Sequence, residues 1–316
     1  MEVSVKTKER FCKDYNIPIK IFQEPYFTDR LKLFDKMYGT LVKWDVFINE
    51  LKKYNSEQDY FEEYNKVKDA AIFAIKNSEA YQRFNEEDMN NFATTHKNLP
   101  NKDIYKPTND GRVFISIDMK KANFSSLQLY GDTIGKSMFA GASTWEDFIG
   151  LFTDKKHIIN SKYIRQVILG NCNPKRHITY EKYLMDKVLS CLYDIVNEDR
   201  IVFFSNDEIV YDMTTANHIE ILNLVRRCIE ERLNEVCDIQ FTIELFTLHK
   251  ISGMDGYYKE IFKDNGEVSI KLKGLNNFMI PFILRKLQKE EITENDKVFY
   301  HEGLLAKFFE VPDFII

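Results

Sequence analysis

The chain has 316 residues, a formal net charge of −5, 44% hydrophobic residues and 29% charged residues. That length supports a full core and roughly two or three structural units, and the composition is that of a globular chain, not a disordered one. The acidic balance excludes a global basic footprint, so any grip on nucleic acid must come from local basic clusters. No apolar run reaches membrane-spanning length and the charged N-terminus, MEVSVKTKERF, lacks a signal-peptide core, so no membrane partner is expected. Cys12, Cys172, Cys191, Cys228 and Cys237 form no CxxC pair and read as reduced thiols of an intracellular protein, cytoplasmic or nuclear.

Residues 1–26 hold no clear period, and Pro18 and Pro25 predict an extended lead-in. Over 28–54 the apolar residues from Leu31 to Leu51 fall near helical spacing, with Gly39 as a break or kink, and a second helical stretch follows at 57–84. A polar loop at 95–111, with two prolines and an Asn-Asp-Gly turn, closes a helical N-terminal region, 1–110. A β-rich run at 112–118 ends on Asp118. Gly131, Gly135 and Gly141 precede a helix that the Ser143–Glu146 spacing would start as a capping box. Helices are predicted at 161–169 and 178–196, separated by Gly170-Asn171-Cys172-Asn173-Pro174.

Two β-rich runs, 201–204 and 209–211, flank the polar corner Ser205-Asn206-Asp207-Glu208 and predict a hairpin. A helix at 215–236 and a strand at 239–248 follow. Beyond them, 257–262 and 268–272 flank an Asp264-Asn265-Gly266 turn and predict a second hairpin, with short helices at 275–288 and 302–309. The order β-α-β-β-α-β across 112–248 predicts an α+β protein with an antiparallel, ferredoxin-like (RRM-like) sheet. The expected units are therefore 1–110, 111–250 and a C-terminal hairpin with helices at 251–316.

In that topology Asp118 and Asp207 meet at one edge of the sheet. Hairpin tips ordinarily carry Asn-Gly or Asp-Gly, and adjacent carboxylates at Asp207 and Glu208 suggest a cation. Asp118, Asp207 and Glu208 suit Mg²⁺ or Mn²⁺, which bind one or two carboxylates together with water and phosphate oxygens. Two such ions about 3.5–4 Å apart can hold the attacking and leaving oxygens of a phosphoryl transfer.

These residues carry a family resemblance. ISIDMKKANFSSL resembles motif A of palm-domain polymerases, and FFSNDEIVYD resembles motif C, especially the His-Asp-Glu corner of family A DNA polymerases, with Asn206 where that family has His. The corner is also similar to the Tyr-x-Asp-Asp loop of reverse transcriptases. SSLQLYGDTIGKSMFAGASTWEDFIG looks like the stretch after motif A, and Lys162 to Gly170 resembles the fingers helix, a B-like motif of the family A and single-subunit RNA polymerase group. The resemblance implies a palm with an abbreviated fingers insertion at about 131–176, and a minimal nucleotidyltransferase extending a nucleic-acid 3′ end, with primer/template and nucleoside triphosphates as partners. Arg165 would touch the triphosphate, with Lys162 one turn away, and Asn123 would stand at the sugar, with Phe124 as the alternative gate. Tyr163 is a weak stand-in for the aromatic that stacks on the nucleotide, and the span from Arg165 to Asp207 is shorter than the family's.

Other features leave alternatives open. Lys175 and Arg176, after a Gly/Asn loop and before a helix, form either a phosphate cradle or a solvated linker. Lys120 and Lys121 meet primer or phosphate, or simply end a strand. Lys271, Lys273, Arg285 and Lys286 interleave with Phe278, Phe282 and Ile283, as a nucleic-acid surface or an amphipathic core helix would. His157, His218 and His249 show no mutual metal spacing and read as structural or surface residues. The rival functions are a template-independent nucleotidyltransferase or cyclase, and an inactive palm-derived nucleic-acid-binding or scaffold subunit with protein partners. The Lys-, Asn- and Ile-rich texture suggests an A·T-rich genome, and a viral source is expected from it.

Overall fold

The structure, a computed structural model, describes residues 3–233 and 239–316. Five helices form the N-terminal region: α1 (Val5–Asp14), α2 (Tyr26–Tyr38), α3 (Thr40–Leu51), α4 (Glu57–Lys76) and α5 (Glu79–Glu86). α1 replaces the expected extended lead-in. It is too short for its period to stand out, but Ser4 accepts from the Thr7 N–H as its N-cap, and Phe11 and Cys12 bury one face. Gly39, at φ +58°, ends α2 in the left-handed conformation that lacks a steric penalty only for glycine. The stretch expected as one helix from 57 breaks at Asn77-Ser78, where Ser78 caps α5.

Six strands form one antiparallel sheet: β1 (Val113–Met119), β2 (Ile201–Phe204), β3 (Glu208–Asp212), β4 (Phe241–Lys250), β5 (Tyr257–Phe262) and β6 (Val268–Lys273). Their spatial order is β2-β3-β1-β4-β5-β6. Between β1 and β2 run α6 (Ala122–Thr133), α7 (Trp145–Gly150), α8 (Lys156–Ile159), α9 (Lys162–Gly170) and α10 (Pro174–Leu192), so helical structure starts directly after β1, earlier than expected. Thr144, one residue past the expected Ser143, caps α7 by accepting from the Asp147 N–H. α11 (His218–Cys228) joins β3 to β4 and runs into a π-helical turn, Ile229–Leu233. The end of the helix expected to reach 236 lies outside the described residues, as does Cys237.

Two C-terminal expectations change. β5 and β6 continue the sheet from β4, so the expected boundary at 250 falls between neighbouring strands of one sheet. After α12 (Ile280–Gln288), the helix expected at 302–309 is instead a hairpin of β7 (Val298–His301) and β8 (Leu304–Lys307). Glu302 and Gly303 both take positive φ, the two-residue turn whose twist matches paired strands.

The sheet has two unlike faces. Ile115, Ile117, Met119, Ile209, Tyr211 and Leu245 pack on the helices in a core that also holds Phe11, Phe47 and Tyr60. The alternate residues Phe114, Val210, Phe246, Leu248 and Tyr257 cluster on the other face with Ile104 from the connecting loop. Strand register puts Asp118, Glu208, Glu244, Lys259 and Lys271 on that second face too, so one end of it is charged. No described helix is long and apolar enough to cross a membrane.

Candidate active site

β1 carries Asp118 into register with Glu208 on β3, and the Met119 N–H donates to the Asp207 carbonyl at 2.8 Å. The two predicted aspartates thus meet because β3 is the antiparallel neighbour of β1. Ser205 knots the turn between β2 and β3. Its Oγ accepts from the N–H groups of Asp207 (3.3 Å) and Glu208 (3.0 Å) and donates to Asp207 Oδ1 at 2.9 Å. Asn206 turns the other way, its Nδ2 donating to Glu181 Oε2 on α10 at 2.6 Å.

A cleft of about 460 Å³ opens between this turn, the start of α6, and helices α9 and α10. Asp118 and Asp207 line it together with Asn123, Lys162, Arg165 and Glu181. Acids from the sheet edge therefore share one cavity with cations from α9. Ser161 sets the start of α9 as its N-cap, accepting from the Ile164 N–H. Arg165 Nε is buried and has no hydrogen-bond partner among the described residues, and burial lowers the guanidinium's pKa while Glu146 opposes the shift. A half-buried guanidinium with a spare donor is suited to an anionic ligand, phosphate above all.

The acids are crowded. Desolvation first, then repulsion from Glu208 and Asp207, raises the Asp118 carboxyl to about 6, although the residue is solvent-exposed; Lys271 pulls the other way. Buried Glu181 rises to about 7, through burial and then the charge of Asp207, against the hydrogen bond from Asn206. A cation bound between Asp118 and Asp207 would relieve that repulsion. Among the described residues no three His, Cys, Asp or Glu side chains already converge as a metal cage. Mg²⁺ needs only one or two carboxylates if water and substrate phosphate complete its shell, and Asp118 with Asp207 meets that requirement.

Other predicted residues lie elsewhere. Glu208 shares the sheet face with Asp118 but does not line the cleft; the buried Lys259 ammonium is 3.8 Å from its Oε1. Arg176 does not line the cleft; its guanidinium donates to the Phe84 carbonyl (3.0 and 2.7 Å) and to the Glu87 carbonyl, fastening α10 to α5. Lys175 is exposed outside the cleft. In the loop before α10, Asn173 takes the left-handed conformation and Pro174 opens the helix.

Phe124 is buried against Phe139 and Trp145, which leaves Asn123 as the candidate at the sugar. Tyr163 faces α1, its ring 4.8 Å from the Arg10 guanidinium, and does not line the cleft. Lys121 pairs with Glu146 (2.8 Å). Phe282 and Ile283 are core residues, Arg285 binds Asp296 and Lys286 donates to the Phe314 carbonyl, so of that basic cluster only Lys271 and Lys273 stay on the sheet face. His157 is buried beside Tyr54 and Glu50, and His249 stacks on Tyr258, both in structural roles.

Sequence reasoning missed Glu181 and His177. Both line the cleft from α10, and the buried His177 Nε2 has no hydrogen-bond partner among the described residues, its pKa pushed down to about 4 by burial. Their i,i+4 spacing was a usable signal, since it puts both side chains on one helix face. No family model, curated protein or solved structure matches this chain.

Proposed function

We propose that the protein is a minimal palm-type nucleotidyltransferase that extends a nucleic-acid 3′ end on a template. The observation that carries this reading is the shared cleft, with Asp118 and Asp207 from the sheet edge and Lys162 and Arg165 from α9. The strand order β2-β3-β1-β4, with helices in both crossovers, supports the ferredoxin-like palm that such enzymes use. Asp118 and Asp207 would hold Mg²⁺ or Mn²⁺, two ions that supply activation of the primer hydroxyl and charge stabilisation of the departing pyrophosphate. Arg165 and Lys162 bind and orient the triphosphate, and Asn123 offers a hydrogen bond to the sugar. The primer O3′ forms a bond to the α-phosphorus, the bond to the β-phosphate oxygen breaks, and the hydroxyl proton leaves to solvent.

Primer extension on primed DNA and RNA templates, with separate NTP and dNTP pools and either divalent ion, tests the proposal. Template-dependent incorporation is expected, and Asp118→Ala and Asp207→Ala should each reduce it to background with unchanged circular dichroism. Undiminished incorporation by either variant would remove the proposed site. Incorporation that ignores the template would select the template-independent class instead.

A second reading is a palm-derived nucleic-acid-binding or scaffold subunit without turnover. The engagement of Asn206 by Glu181 and of Glu208 by Lys259 favours it, because both are thereby drawn away from a bound metal. Binding of primed template with no divalent-dependent extension would select it.

A further inference from the structure

Two thiols meet where α10 and α11 pack together. Cys191 stands one residue before the end of α10 and is half-buried; Cys228 is the last residue of α11 and is buried. Cys228 Sγ donates to the Cys191 carbonyl at 3.1 Å. A cysteine's carbonyl oxygen and its Sγ hang from the same Cα, so a sulfur in contact with the first lies within a side-chain rotation of the second. Arg232, on the π-helical turn after α11, donates to the same carbonyl (3.1 Å) and to both carboxylate oxygens of Asp194 (2.9 and 3.0 Å). Its guanidinium is close enough to feel the charge of both thiols. Burial pushes the Cys228 thiol up, and Arg232 pulls it down.

A thiol on a carbonyl at a helix end can serve simply as a cap. Arg232 already donates to that oxygen, so the cap does not by itself require a thiol. Cys12 and Cys172 make the contrast: both are buried, burial pushes them up to about 12 and about 11, and no second thiol is among the groups that act on them. A half-buried thiol beside a guanidinium, with a second thiol behind it, is the setting in which cysteines oxidise reversibly. Between Cys191 and Cys228 the chain runs through β2, the turn that carries Asp207, and β3. α10 already holds that turn through Glu181 and Asn206. A bond between the two cysteines closes this loop and ties the helix before the hairpin to the helix after it.

We propose that Cys191 and Cys228 are a peroxide-sensitive pair that closes to a disulfide and clamps the hairpin carrying Asp207. The Cys191 thiolate attacks one oxygen of the peroxide, the O–O bond breaks, and the departing hydroxide is protonated to water, leaving a sulfenic acid on Sγ. Cys228 then attacks that sulfur; the S–O bond breaks, the hydroxide takes the thiol proton and leaves as a second water, and the Sγ–Sγ bond forms. The pair loses two electrons and the peroxide gains them. The test treats the reduced full chain with hydrogen peroxide, blocks free thiols with N-ethylmaleimide and maps the peptides by mass spectrometry without reduction. A Cys191–Cys228 linked peptide within one chain is expected, lost on adding dithiothreitol and still formed in C237S. In C228S, dimedone should label Cys191 as the stranded sulfenic acid, and in C191S, Cys228 should stay alkylatable. Amide exchange across 201–212 should be several-fold slower in the oxidised chain and recover on reduction. No linked peptide, linkage to Cys237 or between two copies, or oxidation of Cys12 or Cys172 ahead of this pair would overturn the pair. Exchange unchanged by the bond would overturn the clamp. These readouts use neither nucleotide nor metal, so they stand apart from the nucleotidyltransferase reading.

Discussion

Asp118 sits where a carboxylate is costly to ionise. Its pKa rises from the ordinary 3.8 to about 6 through desolvation and the charges of Glu208 and Asp207. Between those values the folded chain keeps a proton that the unfolded chain has lost. Stability conferred by this group is therefore full below about pH 4, declines toward pH 6, and stays at the lower level above. In chelator-containing buffer, Asp118→Asn should raise the Tm at pH 7.5, and the gain should shrink toward pH 4. On the proposed function, adding Mg²⁺ or Mn²⁺ should raise the Tm of the unmodified protein more than that of the variant, because the ion would bind the folded carboxylate pair and not the unfolded chain. Melting curves at both pH values, with and without metal, check this; no gain at pH 7.5 would show that the acids are not crowded. At this scale Asp118 and Asp207 were legible in the sequence, since each ends or begins a β-rich run beside a polar corner. Glu208 and Arg176 were not, because a charged side chain's partner is chosen by what packs near it. For Glu208 that partner is Lys259, and for Arg176 it is a pair of backbone carbonyls.

Helix α9 is the element that brings Lys162 and Arg165 to the cleft. Its cap, Ser161, accepts from the Ile164 N–H (3.0 Å) and donates to Asp14 Oδ1 on α1 (2.7 Å), and the Tyr64 hydroxyl also donates to Asp14 (3.2 Å). Asp14 is buried, and burial pushes its carboxyl up to about 7. Ser161→Ala removes a cap and a buried hydrogen bond together, and should cost about 1–2 kcal/mol, read as a lower urea midpoint at constant m. An unchanged midpoint would show that α1 and α4 hold α9 without the serine. The existence of α9 was readable from its period and cap. Its two-sidedness was not, because the helical period alone does not say what covers each face: Arg165 lines the cleft and Tyr163 packs toward α1.

Across the whole molecule the N-terminal helices and the C-terminal segment are locked together. Buried Arg30 on α2 donates to Asp296 Oδ1 (3.1 Å) and to the carbonyls of Asn295 (3.0 Å), Asp296 (3.2 Å) and Val298 (3.0 Å). Asp296 in turn accepts from Arg285 Nε at 2.9 Å, so α12 joins the same network. Arg30→Ala leaves a buried acid and three carbonyls short of donors and should cost about 3–5 kcal/mol in denaturant melts. A loss below about 1 kcal/mol, the range of an exposed pair, would show that the C-terminal segment is only loosely attached. By itself the sequence determined the strands β1 to β6, most helices and the meeting of Asp118 with Asp207, because alternation, period and turn chemistry are local and the crossovers leave few ways to pair the strands. Only the tertiary structure decided that β5 and β6 extend the same sheet, that Glu181 reaches Asn206, and that Lys259 reaches Glu208. Those outcomes depend on contacts between residues distant in the chain, which no local pattern encodes.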